Sequence, residues 1–182
     1  KELESRGMKF VAEVPVEKGD TDLKPHTMAL RKSKADMVLM WVTPPAAARL
    51  VGTAKAMQFA PQFMSTSTCS DFPLMMHITK GLWEGVICAT FAELPDSDLP
   101  LMQTYKNDVY GKYAAKEERW GLFFYAGIMF VEPMVEALKN AGPDLTREKF
   151  IAEMEKLNGF KGIGPNVTYK PFDASDMYSR QG

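Results

Sequence analysis

The sequence predicts an α/β protein, a doubly wound parallel sheet followed by a helical part. Three observations predict it. Two apolar runs of strand length, MVLMWV at 37–42 and GVICATF at 85–91, lack polar alternation, as strands covered on both faces of a parallel sheet do. Segments of helical period separate the strand readings and give the order βαβαβαβ within about ninety residues, the crossover pattern that parallel strands need. ELPDSDLP at 93–100 then breaks the pattern, and from 101 to about 157 every segment reads as helix.

Each element follows from its residues. Residues 1–7 read as the tail of a helix stopped by Gly7, so the chain is expected to begin partway through an element. KFVAEVPV at 9–16 alternates Phe10, Ala12, Val14 and Val16 inward, which predicts a strand. Thr21 or Asp22 is positioned to cap a helix carrying Leu23, Thr27 and Leu30 on one face, with Pro25 in its first turn. The strand at 37–42 is stopped by Thr43, Pro44 and Pro45. The alanine-rich stretch 46–57 then predicts a helix with Leu50, Val51 and Ala54 inward and Arg49 and Lys55 outward. A short strand at 62–64, a hydroxyl-rich loop at 65–70, a helix at 72–79 and the strand at 85–91 complete this part.

Beyond the linker, helices are predicted at 101–115, 120–140 and 146–157, the last capped by Thr146. Gly159, Gly162, Gly164 and Pro165 make a second break before a short strand at 166–169. A domain boundary is expected near residue 95.

Composition narrows the function. The 182 residues are 46% hydrophobic and 25% charged with a net charge of −1, so disordered and fibrous classes fall away. A nucleic-acid partner is not expected, because no basic excess is available to neutralise phosphates. The longest apolar run, 121–131, is shorter than the ~20 residues that span a bilayer and reads as a buried core helix. Most of the 13 methionines, among them Met28, Met37, Met40, Met75, Met76 and Met134, read as core filling. Cys69 and Cys88 form no C-x-x-C pair, and their spacing leaves a disulfide open.

The sequence carries few catalytic signatures. His26 and His77 stand on different predicted helices with no ligand spacing, so neither a metal nor a cofactor is expected. Gly162-x-Gly164 lacks the third glycine and the following helix of a dinucleotide fingerprint. No phosphate loop and no G-x-S-x-G elbow occurs. Ser65, Ser67 and Ser70 could serve a hydrolase only if His77 reached one of them as base. The plainer reading is a cradle for an anion or carboxylate, made of hydroxyls and amides where a strand ends. Trp41 and Thr43 end the neighbouring strand, so both loops are expected to open on one sheet edge, where such sheets bind ligands. Trp41 alone reads equally as core or as a ring that stacks on a ligand.

Taken together, these motifs resemble a known family. The stretch from GMKFVAEVPVEKGDTD through KAD at 34–36, the strand ending near Thr43, the alanine-rich helix and PQFMS at 61–65 resembles the second lobe of type I periplasmic binding proteins of the branched-chain amino acid ABC uptake family. FFYAGIMFVEPMVEALKNAG and LTREKFIAEMEKLNGFKGIGPNVTY resemble the late helix pair and crossover of the same family. The resemblance implies a two-lobed clamp that holds a small molecule and delivers it to a membrane permease, without enzymatic activity. It implies a periplasmic or membrane-anchored extracytoplasmic location. Ligand contacts are implied at Trp41 and Thr43 and at Ser65, Thr66, Ser67 and Thr68.

Two departures from the family pattern shape the expectation. Amino-acid binders of the family tend to carry an aromatic residue where Thr43 stands and an acidic one where Ser67 stands, so a small amino acid-like or organic acid, aromatic ones stacked by Trp41 included, is expected rather than a simple α-amino acid. The chain is expected to be a fragment: residues 1–95 as most of the second lobe, 96–163 as the helical part of the first and 164–182 as a hinge crossover. The remaining first-lobe sheet would come from elsewhere in a longer protein or from a partner chain. A ligand-sensing domain of a receptor or regulator is the alternative use of the same clamp.

Overall fold

A glycine in the left-handed region ends the first helix, as the sequence anticipates. In the computed structural model, which describes residues 2–171, α1 (Glu2–Ser5) closes with Gly7 at φ 72°. The Met8 N–H donates to the Leu3 carbonyl at 2.8 Å and that of Gly7 to Glu4 at 3.0 Å, the paired bonds of a Schellman stop. The chain falls into two units, one up to Thr90 and one from Phe91 onward.

Residues 8–17 depart from the expectation. From Val11 to Glu17 exposed and half-buried side chains alternate, and Val16 packs on the core, but no ladder forms and Phe10 is exposed. Alternation supplies the faces of a strand; the strand itself needs a hydrogen-bonded neighbour, and none lies beside this segment among the described residues.

Helix α2 (Lys24–Lys32) begins one step later than the predicted caps, with Leu23 at the N-cap. Asp22 still contributes, since its Oδ1 accepts from the Lys24 N–H at 3.0 Å. Leu23 and Thr27 are buried, and Leu30 packs against the core to which Leu23 belongs.

The sheet has three parallel strands in the order β1 (Met37–Met40), β2 (Gln62–Ser65), β3 (Ile87–Cys88), joined by α3 (Pro44–Ala56) and α4 (Phe72–Ile78). Leu39, Met64 and Ile87 stand in register across it. Val38 and Met40 face the helices and form the core with Leu23, Leu50, Val51, Met75 and Trp83. The predicted cover on both faces is absent among the described residues: Met37 is 53% and Leu39 52% exposed, and Ile87 is exposed beside them. The apolar runs therefore mark strands with one bare face here. The same exposure corrects the core assignment of Met28, Met37, Met76 and Met134, whereas Met40 and Met75 are buried. The predicted strand at 85–91 is reduced to two paired residues.

The second unit is helical. α5 (Pro100–Thr104) runs through a π-helical segment (Tyr105–Tyr110) into α6 (Gly111–Tyr113), followed by α7 (Leu122–Ala141) and α8 (Arg147–Glu155). The Thr146 cap forms as expected, its Oγ1 accepting from the Lys149 N–H. α7 is not the wholly buried helix expected of 121–131. Leu122, Tyr125, Ala126, Pro133 and Ala137 are buried, while Phe123, Phe130, Met134 and Leu138 form an exposed apolar stripe at helical spacing. Met102, Trp120, Leu122, Tyr125 and Ile163 make this unit's core.

The strand predicted at 166–169 is a single antiparallel bridge between Phe160 and Val167. Of the predicted crossover 164–182, the part beyond Pro171 lies outside the described residues.

Candidate functional site

The candidate residues of the first unit gather where β1 and β2 end. β1 stops because Pro44 and Pro45 follow; both lie in the first turn of α3, with Thr43 in extended backbone at its N-cap. Proline has no N–H, so this helix start offers fewer free amides to an anion than most. The Thr43 hydroxyl makes no capping bond and is exposed. Trp41, just past β1, is 82% exposed. Its ring therefore stands outside the core of this unit.

The loop after β2 is more ordered than a polar loop. Ser67–Cys69 form a 3₁₀ turn, and three hydroxyls are spoken for. Buried Ser65 Oγ donates to the Met40 carbonyl at 3.3 Å, Thr68 Oγ1 donates to the Val42 carbonyl at 3.2 Å, and Thr66 Oγ1 lies 2.9 Å from Thr68 Oγ1. These bonds tie the loop to the end of β1, so Trp41 and the hydroxyl loop share one sheet edge as the sequence anticipates. Ser67 gives its carbonyl to Ser70 Oγ at 2.8 Å. Asp71 is buried and caps α4 by accepting from the Leu74 N–H at 3.1 Å.

The hydroxyls of Ser65, Thr68 and Ser70 donate to main-chain carbonyls. Cys69 and Cys88 are free thiols. Cys88 Sγ lies 3.6 Å from the Cys69 carbonyl, and burial pushes its thiol up from 9.0. Among the described residues no group of His, Cys, Asp and Glu could hold a metal ion, and no helix is long and apolar enough to cross a membrane.

A second polar centre, in the other unit, escaped the sequence reading. Glu132 on α7 is buried, accepting from the Tyr105 hydroxyl at 2.9 Å on Oε1 and from the Ile163 N–H at 2.9 Å on Oε2. Burial and this carboxylate push the Tyr105 phenol from 10.0 to about 12. The glycines that fail as a cofactor box have a packing reason: a Cβ on Gly162 would lie 2.0 Å from Glu132 Oε2, and one on Gly164 would lie 2.5 Å from Met129 Sδ. An open, largely apolar cavity of about 420 Å³ lies beside them, walled by Phe91, Met129, Phe130, Phe160 and Tyr169. The available signal was an acid followed by proline inside an apolar run, with two glycines some thirty residues on.

A sequence model of the family described as periplasmic binding protein matches residues 1–175. No curated protein matches the chain. Among solved structures, a branched-chain amino acid ABC transporter protein from Thermus thermophilus with bound valine superposes with a TM-score of 0.78 at 18% identity, covering 93% of this chain and 45% of that one. A substrate-binding periplasmic protein from Ralstonia solanacearum gives 0.78 at 18% identity, covering 99% and 50%. A fatty acid ABC transporter substrate-binding protein from Thermomonospora curvata gives 0.70 at 26% identity, covering 85% and 40%. The chain thus spans half or less of the length of each.

Proposed function

The chain belongs to the periplasmic binding protein family, and from that premise we propose that it forms part of the solute-binding component of an ABC uptake transporter. It works outside the cytoplasmic membrane, passes a small molecule to a membrane permease and performs no chemistry on it. The family match over residues 1–175 carries this reading. The rest of the ligand cleft comes from a first lobe, in the same polypeptide or a partner chain.

The ligand lies at the ends of β1 and β2, against Trp41, Thr43 and the loop of Ser65, Thr66, Ser67 and Thr68. An exposed indole next to hydroxyls suits a flat or apolar body bearing a carboxylate. An α-amino acid suits it less well. Its ammonium needs a counter-charge when buried, and Asp71, which follows the loop, is already committed to capping α4. The similarity to a fatty acid binder fits the same preference for apolar acids.

Calorimetric titration of the whole protein with benzoate, octanoate and leucine tests the reading. Binding of benzoate or octanoate, weakened about tenfold or more by Trp41→Ala with the melting temperature unchanged, is the expected result. Tight leucine binding, or acid binding indifferent to Trp41, overturns the ligand assignment.

A further inference from the structure

Glu132 lies in an apolar stretch of α7 and forms no ion pair among the described residues; its two donors, the Tyr105 hydroxyl and the Ile163 amide, are both neutral. A buried carboxylate is disfavoured unless its hydrogen bonds achieve something in return, so their destination matters. Ile163 uses both main-chain groups. Its N–H donates to Glu132, and its carbonyl accepts from the Glu93 N–H at 3.0 Å. The Glu93 carbonyl accepts in turn from the Tyr125 hydroxyl at 2.8 Å. Tyr125 and Glu132 stand two turns apart on α7, both buried on the same side. The bonds therefore close a ring that leaves α7 at Tyr125, passes through the main chain of Glu93 and Ile163, and returns to α7 at Glu132.

The ring has a place in the chain. Glu93 lies three residues beyond Thr90, where the first unit ends. The Trp120 indole N–H, donating to the Pro95 carbonyl at 2.9 Å, holds the same segment two residues further on. Gly162 is what permits the ring, since any side chain there would strike the Glu132 carboxylate.

We infer that Glu132 is a positioning residue for the link between the two units: acting through Ile163 it fixes the main chain at Glu93, so that bending at the link is confined to the residues before Glu93. The inference rests on the clamp reading above, in which the units move relative to each other on ligand binding. Loss of the carboxylate frees Glu93, a residue it does not touch, and alters the balance of open and closed clamp and with it the apparent affinity.

Amide hydrogen exchange in the whole protein, well below its melting temperature and without ligand, tests the ring. In Glu132→Ala the amides of Glu93 and Ile163 are expected to exchange about tenfold faster or more, together. In Glu132→Gln both stay near wild type, because the carboxamide oxygen still accepts from Ile163. Faster exchange at Ile163 alone, or no rescue by glutamine, overturns the inference. If Glu132→Ala does not fold, the wild type decides: the two amides should share one denaturant dependence, and separate dependences overturn the ring.

Solution X-ray scattering with benzoate, octanoate or leucine separates this inference from its premise. Absence of contraction in the wild type with all three counts against the clamp reading, while the exchange data still judge the ring. Contraction with the same half-saturation in wild type and Glu132→Ala counts against the role of Glu132 at the link.

Discussion

The buried side-chain hydrogen bonds of the first unit mostly close on their own neighbourhood, whereas those of the second reach across the chain. In the first unit Thr27 donates to the carbonyl of Leu23, Thr79 to that of Met75, and Asp71 accepts from Leu74, each three or four residues away. In the second, Tyr125 reaches Glu93 across 32 residues, Trp120 reaches Pro95 across 25 and Glu132 receives Ile163 across 31. The exceptions in the first unit are informative. Ser65 to Met40, Cys69 to Val42 and Cys88 to Cys69 span 25, 27 and 19 residues, and all lie where the strands end. The long ties among the buried bonds thus stand where the first unit presents its loops, and in the second they form the framework itself. The cores differ in kind as well: mainly aliphatic in the first, and in the second an aromatic cluster in which Trp120 lies 5.1 Å from Tyr125 and 5.7 Å from Tyr110, with Phe124 5.1 Å from Tyr110.

The largest test of this contrast is Trp120→Ala. It removes the ring that joins Tyr110, Phe124 and Tyr125 and, with it, the donor to Pro95. A loss of about 3–5 kcal/mol is expected in urea denaturation. A loss below about 1 kcal/mol would be ordinary for a surface site and would break the comparison.

A pair of glycine substitutions sharpens it. Gly162→Ala puts a methyl group 2.0 Å from a carboxylate held by two hydrogen bonds, so about 1–3 kcal/mol of overpacking strain is expected. Gly164→Ala meets the Met129 thioether at 2.5 Å, and methionine can swing aside. The expected order of melting temperatures is wild type, then Gly164→Ala, then Gly162→Ala. Equal small losses would show that Glu132 is free to move and that the second unit lacks its rigid polar tie.

The same division explains what was legible beforehand. The inward face of the alanine-rich helix, the Thr146 cap, the Gly7 stop and the parallel α/β pattern rest on residues a few positions apart, and each is present. The strand at 9–16 was misread because alternation records faces and not partners. The runs at 37–42 and 85–91 gave strand length correctly but not cover, since an apolar side chain reads alike whether or not something lies over it. At the candidate edge, hydroxyl type and position were legible from the sequence. The direction of each donor was not, and it separates committed Ser65 and Thr68 from uncommitted Thr43. Glu132 was invisible for the strongest form of this reason: its role depends on Ile163 and Tyr105, neither of which carries any sequence mark of facing it.

The smallest test concerns Tyr105, whose hydroxyl holds the second oxygen of Glu132. Its phenol is raised from 10.0 to about 12, which means the folded chain favours the neutral, donating form. The sign follows from linkage. A group whose pKa rises on folding adds its full stability below the unfolded value, so the contribution is complete below pH 10 and fades as the pH climbs toward 12. The ring is only partly buried and water screens it, so less than about 1 kcal/mol is at stake. Other tyrosines and the lysines titrate over the same interval, and the useful quantity is therefore the difference between wild type and Tyr105→Phe. That difference in melting temperature should favour wild type at pH 8 and shrink steadily above pH 10. A gap that stays constant to pH 12 would mean that the Tyr105 proton does not support Glu132. Glu132 would then be held by the main-chain bond from Ile163 alone.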